Sequence, residues 1–148
     1  MKKILAIIVA LVATSAIFAC EKYAIDDRPV SVNKLPEAAR EFLSQNYPAE
    51  DILYVVKDDD IIYPDYTVGL ANGVQVEFYS NGALKSIEAR EGVPKELIPI
   101  QIVEFIKVRY PAAYVVEYEV EKHHYDVKLS NRLELKFNRN FNLMEIDD

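Results

Sequence analysis

The 148-residue chain contains no tryptophan, one cysteine and no run of Lys or Arg longer than two residues. A lone cysteine builds no disulfide framework, even in a compartment that permits one. With 17 basic against 24 acidic residues the formal charge is −7, and a surface of that sign repels a phosphate backbone, so nucleic acid is excluded as a partner. Long apolar stretches are equally scarce. Only Ile4 to Phe18 qualifies, and it is too short to span a bilayer. Missing too are the glycine-rich, nucleophile-elbow and metalloprotease spacings that would give the Ser, His and Asp residues a shared chemistry. No enzyme is expected.

What is present at the start has the shape of a secretory signal: Met1-Lys2-Lys3 is basic, the apolar run follows, and Ala19-Cys20 closes it. Residues 1–19 therefore read as a signal peptide. Removing Lys2 and Lys3 leaves 15 of the 17 basic residues and moves the formal charge from −7 to −9. Ile17-Phe18-Ala19-Cys20 resembles the lipobox of bacterial lipoproteins, whose cysteine is acylated and becomes the mature N-terminus, although Phe18 is larger than usual there. Cys20 is the expected lipidation site and the one expected link to a membrane, with ordinary cleavage beside a chance cysteine as the alternative. The location implied is the periplasm, or the outer membrane as a lipoprotein. Residues 20–33 carry Pro29 and charges without a helical period, and read as a tether or as a short first strand at Val30-Ser31-Val32.

The remainder is written twice. Leu35-Pro36 leads through Phe42-Leu43 to Tyr47-Pro48, and Ile98-Pro99 leads through Phe105-Ile106 to Tyr110-Pro111. Tyr66-Thr67-Val68-Gly69-Leu70-Ala71-Asn72 is then echoed by Tyr125-Asp126-Val127-Lys128-Leu129-Ser130-Asn131. The offset is 63 in the helical part and 59 in the strand part, which puts four extra residues in the first copy between Asp58 and Pro64.

Each copy opens with an amphipathic helix. Ala39, Phe42, Leu43 and Tyr47 recur at helical spacing, with Glu37, Arg40, Glu41 and Gln45 between them. The second helix is more apolar and is expected to be covered on more than one side. Both stop at Tyr-Pro, because the residue before proline is pushed out of the α region. The period then becomes two, with Tyr66, Val68, Leu70, Val76 and Phe78 alternating with polar residues, as do Tyr125, Val127, Leu129, Leu135 and Phe137. One buried and one wet face follow, as antiparallel sheets allow. Strands are expected near 52–57, 65–71, 74–79 and 83–89, and again near 114–121, 124–130, 133–138 and 142–147. Gly73 suits a three-residue hairpin loop with a left-handed residue. Arg132 stands in its place in the second copy and points to a different turn there.

The expected fold is α+β: two tandem units at 34–91 and 92–148, each a helix plus a four-stranded antiparallel sheet. Either unit alone would have an underfilled core, whereas together they can join into a continuous sheet with both helices packed on one face. The order Leu-Pro, helix, Tyr-Pro, then the Tyr66 to Phe78 strand pattern and Asn81-Gly82, echoed from Ile98 to Asn140, resembles the PepSY-like periplasmic proteins, which share the β-lactamase-inhibitor-protein-like fold. Arg132 and Phe141 depart from it at turn glycines. The resemblance implies a binding or inhibitory module without catalytic residues, with cation dependence among its suggested properties.

Two surfaces are candidate sites. The helix-free sheet face, with Thr67, Gln75, Glu77, Asp126, Lys128, Glu134 and Lys136, is the expected contact for a protein or peptide of the cell envelope. Asp58, Asp59, Asp60 and Asp65 form the densest acidic cluster, and oxygen ligands suit calcium. They lack the alternating spacing and glycine of an EF-hand loop, so a solvated loop competes with that reading, and no other cofactor is implied. His123 and His124 are adjacent on a strand, point to opposite faces and cannot chelate one metal together. Tyr54, Tyr63, Tyr79, Tyr114 and Tyr118 are left for half-exposed positions.

Overall fold

The computed structural model describes residues 28–58, 62 and 64–148. The signal segment, Cys20, Asp59, Asp60 and Tyr63 lie outside the described residues. Nine strands run in chain order: β1 Arg28–Pro29, β2 Ile52–Lys57, β3 Tyr66–Leu70, β4 Gln75–Phe78, β5 Leu84–Glu88, β6 Val115–Val120, β7 His124–Leu129, β8 Glu134–Asn138 and β9 Leu143–Asp147. Helix α1 (Glu37–Asn46) precedes β2, and α2 (Ile100–Arg109) lies between β5 and β6.

The strands form one antiparallel sheet in the order β1 to β9. This corrects the expected pair of helix-plus-four-strand units: the described strands all belong to one sheet, because β5 and β6 pair through Ser86↔Glu119, Ile87↔Tyr118 and Glu88↔Glu117. Two four-stranded sheets would each expose a row of unpaired N–H and C=O groups at this junction, and joining them satisfies both rows. The seam is reinforced by the Tyr79 hydroxyl, which donates to the Val120 carbonyl at 2.7 Å, and by the Ala89 N–H, which donates to Val116 at 2.8 Å. The short strand expected at Val30 to Val32 lies instead at Arg28–Pro29, and Val32–Lys34 is a single 3-10 turn.

The duplication survives within this single sheet. Phe42 of α1 meets Phe78 edge-on with ring centroids 5.6 Å apart, and Phe105 of α2 meets Phe137 in the same way at 5.3 Å. Paired residues of a sheet share a face, so the apolar row Val55, Val68, Val76, Ile87, Tyr118, Val127, Leu135, Ile146 crosses eight strands on one side. Phe78 and Phe137 lie two residues from this row and share its side, which places both helices on that face. Tyr118 is therefore buried in the core, against the expectation that it stands half-exposed. α2 is covered on one side only, with Ile102 and Ile106 buried and Ile100 and Val108 63% and 76% exposed.

Two further details correct the local reading. Arg132 adopts φ 75°, and its N–H donates to Leu129 O at 2.9 Å just as that of Gly73 (φ 81°) donates to Leu70 O at 3.0 Å, so both hairpins use the same turn. A β-bulge between Leu84 and Ser86, where Phe78 pairs with Leu84 and Glu77 with Ser86, reconciles Leu84 and Ile87 on one face despite their opposite parity.

Candidate functional site

The face opposite the helices is lined by two polar rows. One runs Thr67, Glu77, Ser86, Glu119, Asp126, Lys136, Glu145, and its neighbour runs Gly69, Gln75, Glu88, Glu117, Lys128, Glu134, Asp147. All seven residues expected to contact a partner fall on these rows. Asp126, Lys128, Glu134 and Lys136 come together around a hollow of about 310 Å³ that Glu117, Glu119 and Asp147 complete. Thr67, Gln75 and Glu77 share the face but lie across β3 and β4, outside the hollow. A second hollow of about 370 Å³ adjoins the first through Glu117 and Lys128.

Charge is distributed unevenly over this face. Lys128 Nζ lies 2.7 Å from Glu134 Oε1, and Lys136 Nζ lies 3.3 Å from Glu145 Oε2. Those bonds hold both ammonium groups above their ordinary range, the Glu134 hydrogen bond leading for Lys128 and the Glu145 hydrogen bond for Lys136. Lys85 sits 2.7 Å from Asp65 and 3.9 Å from Glu77. Burial would lower Lys85, but the hydrogen bond and the acidic neighbours prevail and raise it. His124 Nε2 approaches Asp126 Oδ2 to 2.8 Å.

Against these compensated pairs stand acids placed directly opposite acids: Glu119 with Asp126, Glu88 with Glu117, and Glu134 with Asp147. Like charges in register oppose folding. Glu119 carries the consequence. Partial burial, then repulsion from Glu117, a hydrogen bond with that residue, and the charges of Asp126 and Glu121 push its carboxyl up to about 7. Sequence reasoning missed Glu117 and Glu119, although the alternation Glu117-Tyr118-Glu119-Val120-Glu121 was there to place three carboxylates on one face.

The acidic loop is assembled differently. The Asp58 N–H donates to Asp65 O at 3.0 Å, closing the loop, and the Asp65 carboxylate is engaged by Lys85. Among the described residues no group of three or more His, Cys, Asp or Glu is arranged to hold a metal ion. None of the described helices is long and apolar enough to cross a membrane.

Comparison with known proteins fits this architecture. Residues 23–64 and 64–145 match the family described as beta-lactamase-inhibitor-like, PepSY-like. Comparison with curated proteins gives no match. Among solved structures, a candidate calcium-regulated periplasmic protein of Bacteroides thetaiotaomicron is 36% identical, superposes with a TM-score of 0.79, and is matched over 83% of this chain and 98% of its own. A candidate periplasmic protein of Bacteroides vulgatus is 33% identical, with a TM-score of 0.79 and coverage of 84% and 99%. Another from the same organism, of unknown function, is 30% identical, with a TM-score of 0.78 and coverage of 82% and 99%.

Proposed function

This chain belongs to the PepSY-like, β-lactamase-inhibitor-like family, and from that membership we propose that it is an exported, non-enzymatic binding module that engages a protein or peptide of the cell envelope through the helix-free sheet face. The observation that carries the reading is the retention of three acid-on-acid pairs along two adjoining hollows, Glu119 with Asp126 and Glu134 with Asp147 at the first and Glu88 with Glu117 at the second. Each disfavours folding, and a fold that keeps them side by side is trading stability for a charged contact surface. Export is supported by the periplasmic relatives and by the signal-like start, with Cys20 as the proposed lipid anchor.

Affinity capture from the native envelope with the wild-type protein, and with a Glu77→Ala/Lys128→Ala double variant, tests the idea. A partner retained by the first and lost by the second supports it. Equal capture by both would sink it.

A second reading is favoured by the relative described as a candidate calcium-regulated protein. In it, Asp58, Asp59, Asp60 and Asp65 bind calcium, and the ion displaces Lys85 from Asp65. Calorimetry and thermal melts at millimolar calcium decide. The absence of both binding heat and any shift in melting temperature would dispose of this reading.

A further inference from the structure

β5 and β9 are equivalent strands of the duplication, with Ser86-Ile87-Glu88 matching Glu145-Ile146-Asp147 at the offset of 59. Their inner edges pair alike. Ile87 lies opposite Val76 and Ser86 opposite Glu77, while Ile146 lies opposite Leu135 and Glu145 opposite Lys136, with a bulge at the same place in each. Their outer edges differ. β6 is laid antiparallel along β5, whereas among the described residues no strand pairs with the outer edge of β9. Ile87 is 0% exposed and Ile146 is 45% exposed.

We propose that the outer edge of β9 docks an extended segment of a partner protein, added antiparallel as β6 is added to β5. The segment carries an apolar or aromatic residue opposite Ile146 and Lys or Arg opposite Glu145 and Asp147. The outward N–H and C=O of this edge are distinct from the sheet face, although Glu145 and Asp147 end its polar rows, so a change at the Ile146 backbone separates the two proposals.

The internal β5·β6 junction supplies the geometry. Because the Ala89 N–H donates to Val116 O, antiparallel alternation makes Ile87 and Tyr118 a hydrogen-bonded pair, with the Ile87 N–H and C=O aimed at β6. By equivalence the Ile146 N–H and C=O point outward, free to bond an added strand. Ile146 also ends the apolar row that crosses the sheet, and a ring or branched side chain opposite it extends that row as Tyr118 does beside Ile87.

Charge selects the flanking residues. Glu145 shares Lys136 at 3.3 Å, while Asp147 lies opposite Glu134, whose own lysine is Lys128. Basic residues on the added strand relieve both acids. A second copy of this chain fits badly, because antiparallel pairing centred on Ile146 sets Glu145 against Asp147 twice. The other end of the sheet is closed to such addition by the brevity of β1 and by Pro29.

The test uses two synthetic peptides, Lys-Val-Lys-Tyr-Lys-Val-Lys and its counterpart with Glu at every Lys, both end-blocked and titrated into the exported protein by calorimetry. The Lys peptide should bind at least tenfold tighter. Ile146→Pro removes one outward donor and leaves the β8-facing donors of Glu145 and Asp147 in place, so it should weaken the Lys peptide at least tenfold with an unchanged circular dichroism spectrum. Should that variant fail to fold, N-methylation of the peptide's tyrosine asks the same question and should give the same loss. A Glu145→Lys/Asp147→Lys variant should prefer the Glu peptide. The proposal is overturned if the Lys peptide does not bind, or if it binds equally to Ile146→Pro. It is also overturned if binding is lost only on substituting Glu117 and Glu119 of the sheet face, or if the edge proves to pair with a second copy in a dimer that Ile146→Pro dissolves.

Discussion

The ring of Tyr54 lies across Gly69, the residue opposite it in the neighbouring strand, and a Cβ at Gly69 would collide with that ring. The Tyr54 hydroxyl donates to Gln75 Oε1 at 3.2 Å, so the aromatic ring takes the place of the side chain Gly69 lacks and bridges β2 to β4. Covering a strand glycine in this way protects its backbone.

Gly69→Ala should therefore push the Tyr54 ring aside and cost about 1 kcal/mol, while the same change in a Tyr54→Ala background should cost close to nothing. Denaturant melts of the four proteins give the coupling, and an additive pair of effects would contradict the contact.

Arg132 keeps its turn at φ 75°, where a Cβ is unwelcome. Arg132→Gly should raise stability by roughly 0.5–1 kcal/mol, the relief of left-handed strain outweighing the extra entropy of an unfolded glycine. Chemical denaturation should show a higher midpoint with an unchanged slope.

The hydroxyl of Tyr79 ties the end of β4 to β6 across β5. Tyr79→Phe should destabilise by about 0.5–1.5 kcal/mol. Amide exchange should quicken around Val120 while the β7·β8 hairpin is unaffected.

Glu119 makes stability depend on pH in the direction opposite to that of a salt-bridged carboxylate. Its native pKa of about 7 lies above the ordinary value of 4.5, so between those limits the folded state holds a proton that the unfolded chain has lost. Stability should rise as pH falls from 8 to 5 and change little from this source below 4.5. Glu119→Gln should be more stable than wild type at pH 8, with a melting temperature higher on the order of 2–4 °C, and should flatten the profile. A wild-type melting temperature that falls monotonically from pH 8 to 5 would count against this.

Alternation placed the eight main strands within about a residue of their ends, because a sheet with one wet face writes its period directly into Tyr66 to Phe78 and Tyr125 to Phe137. The same period says which face a residue occupies but not which strand lies beside it. The joining of the two halves was therefore legible only as a possibility, and which strands meet at the seam, with what register, was not. Bulges hide for a related reason: Lys85 adds one residue and flips the parity of everything after it. The candidate face was found only where the two copies match, at β3, β4, β7 and β8. Glu117 and Glu119 escaped because Tyr54 and Val56 stand at the corresponding places in the first copy, 63 residues earlier.

Strands that pair only with their successors also shape how the molecule comes into being. Every strand finds its template in the one finished just before it, so the longest spans to be closed are the two that hold α1 and α2, and the entropy of loop closure is met in instalments. A polypeptide delivered N-terminus first can assemble progressively, with α1 and α2 arriving in time to shield each newly formed greasy surface. Among the described strands β9 is the last laid down, and like β1 at the opposite end it is left with one edge facing outward.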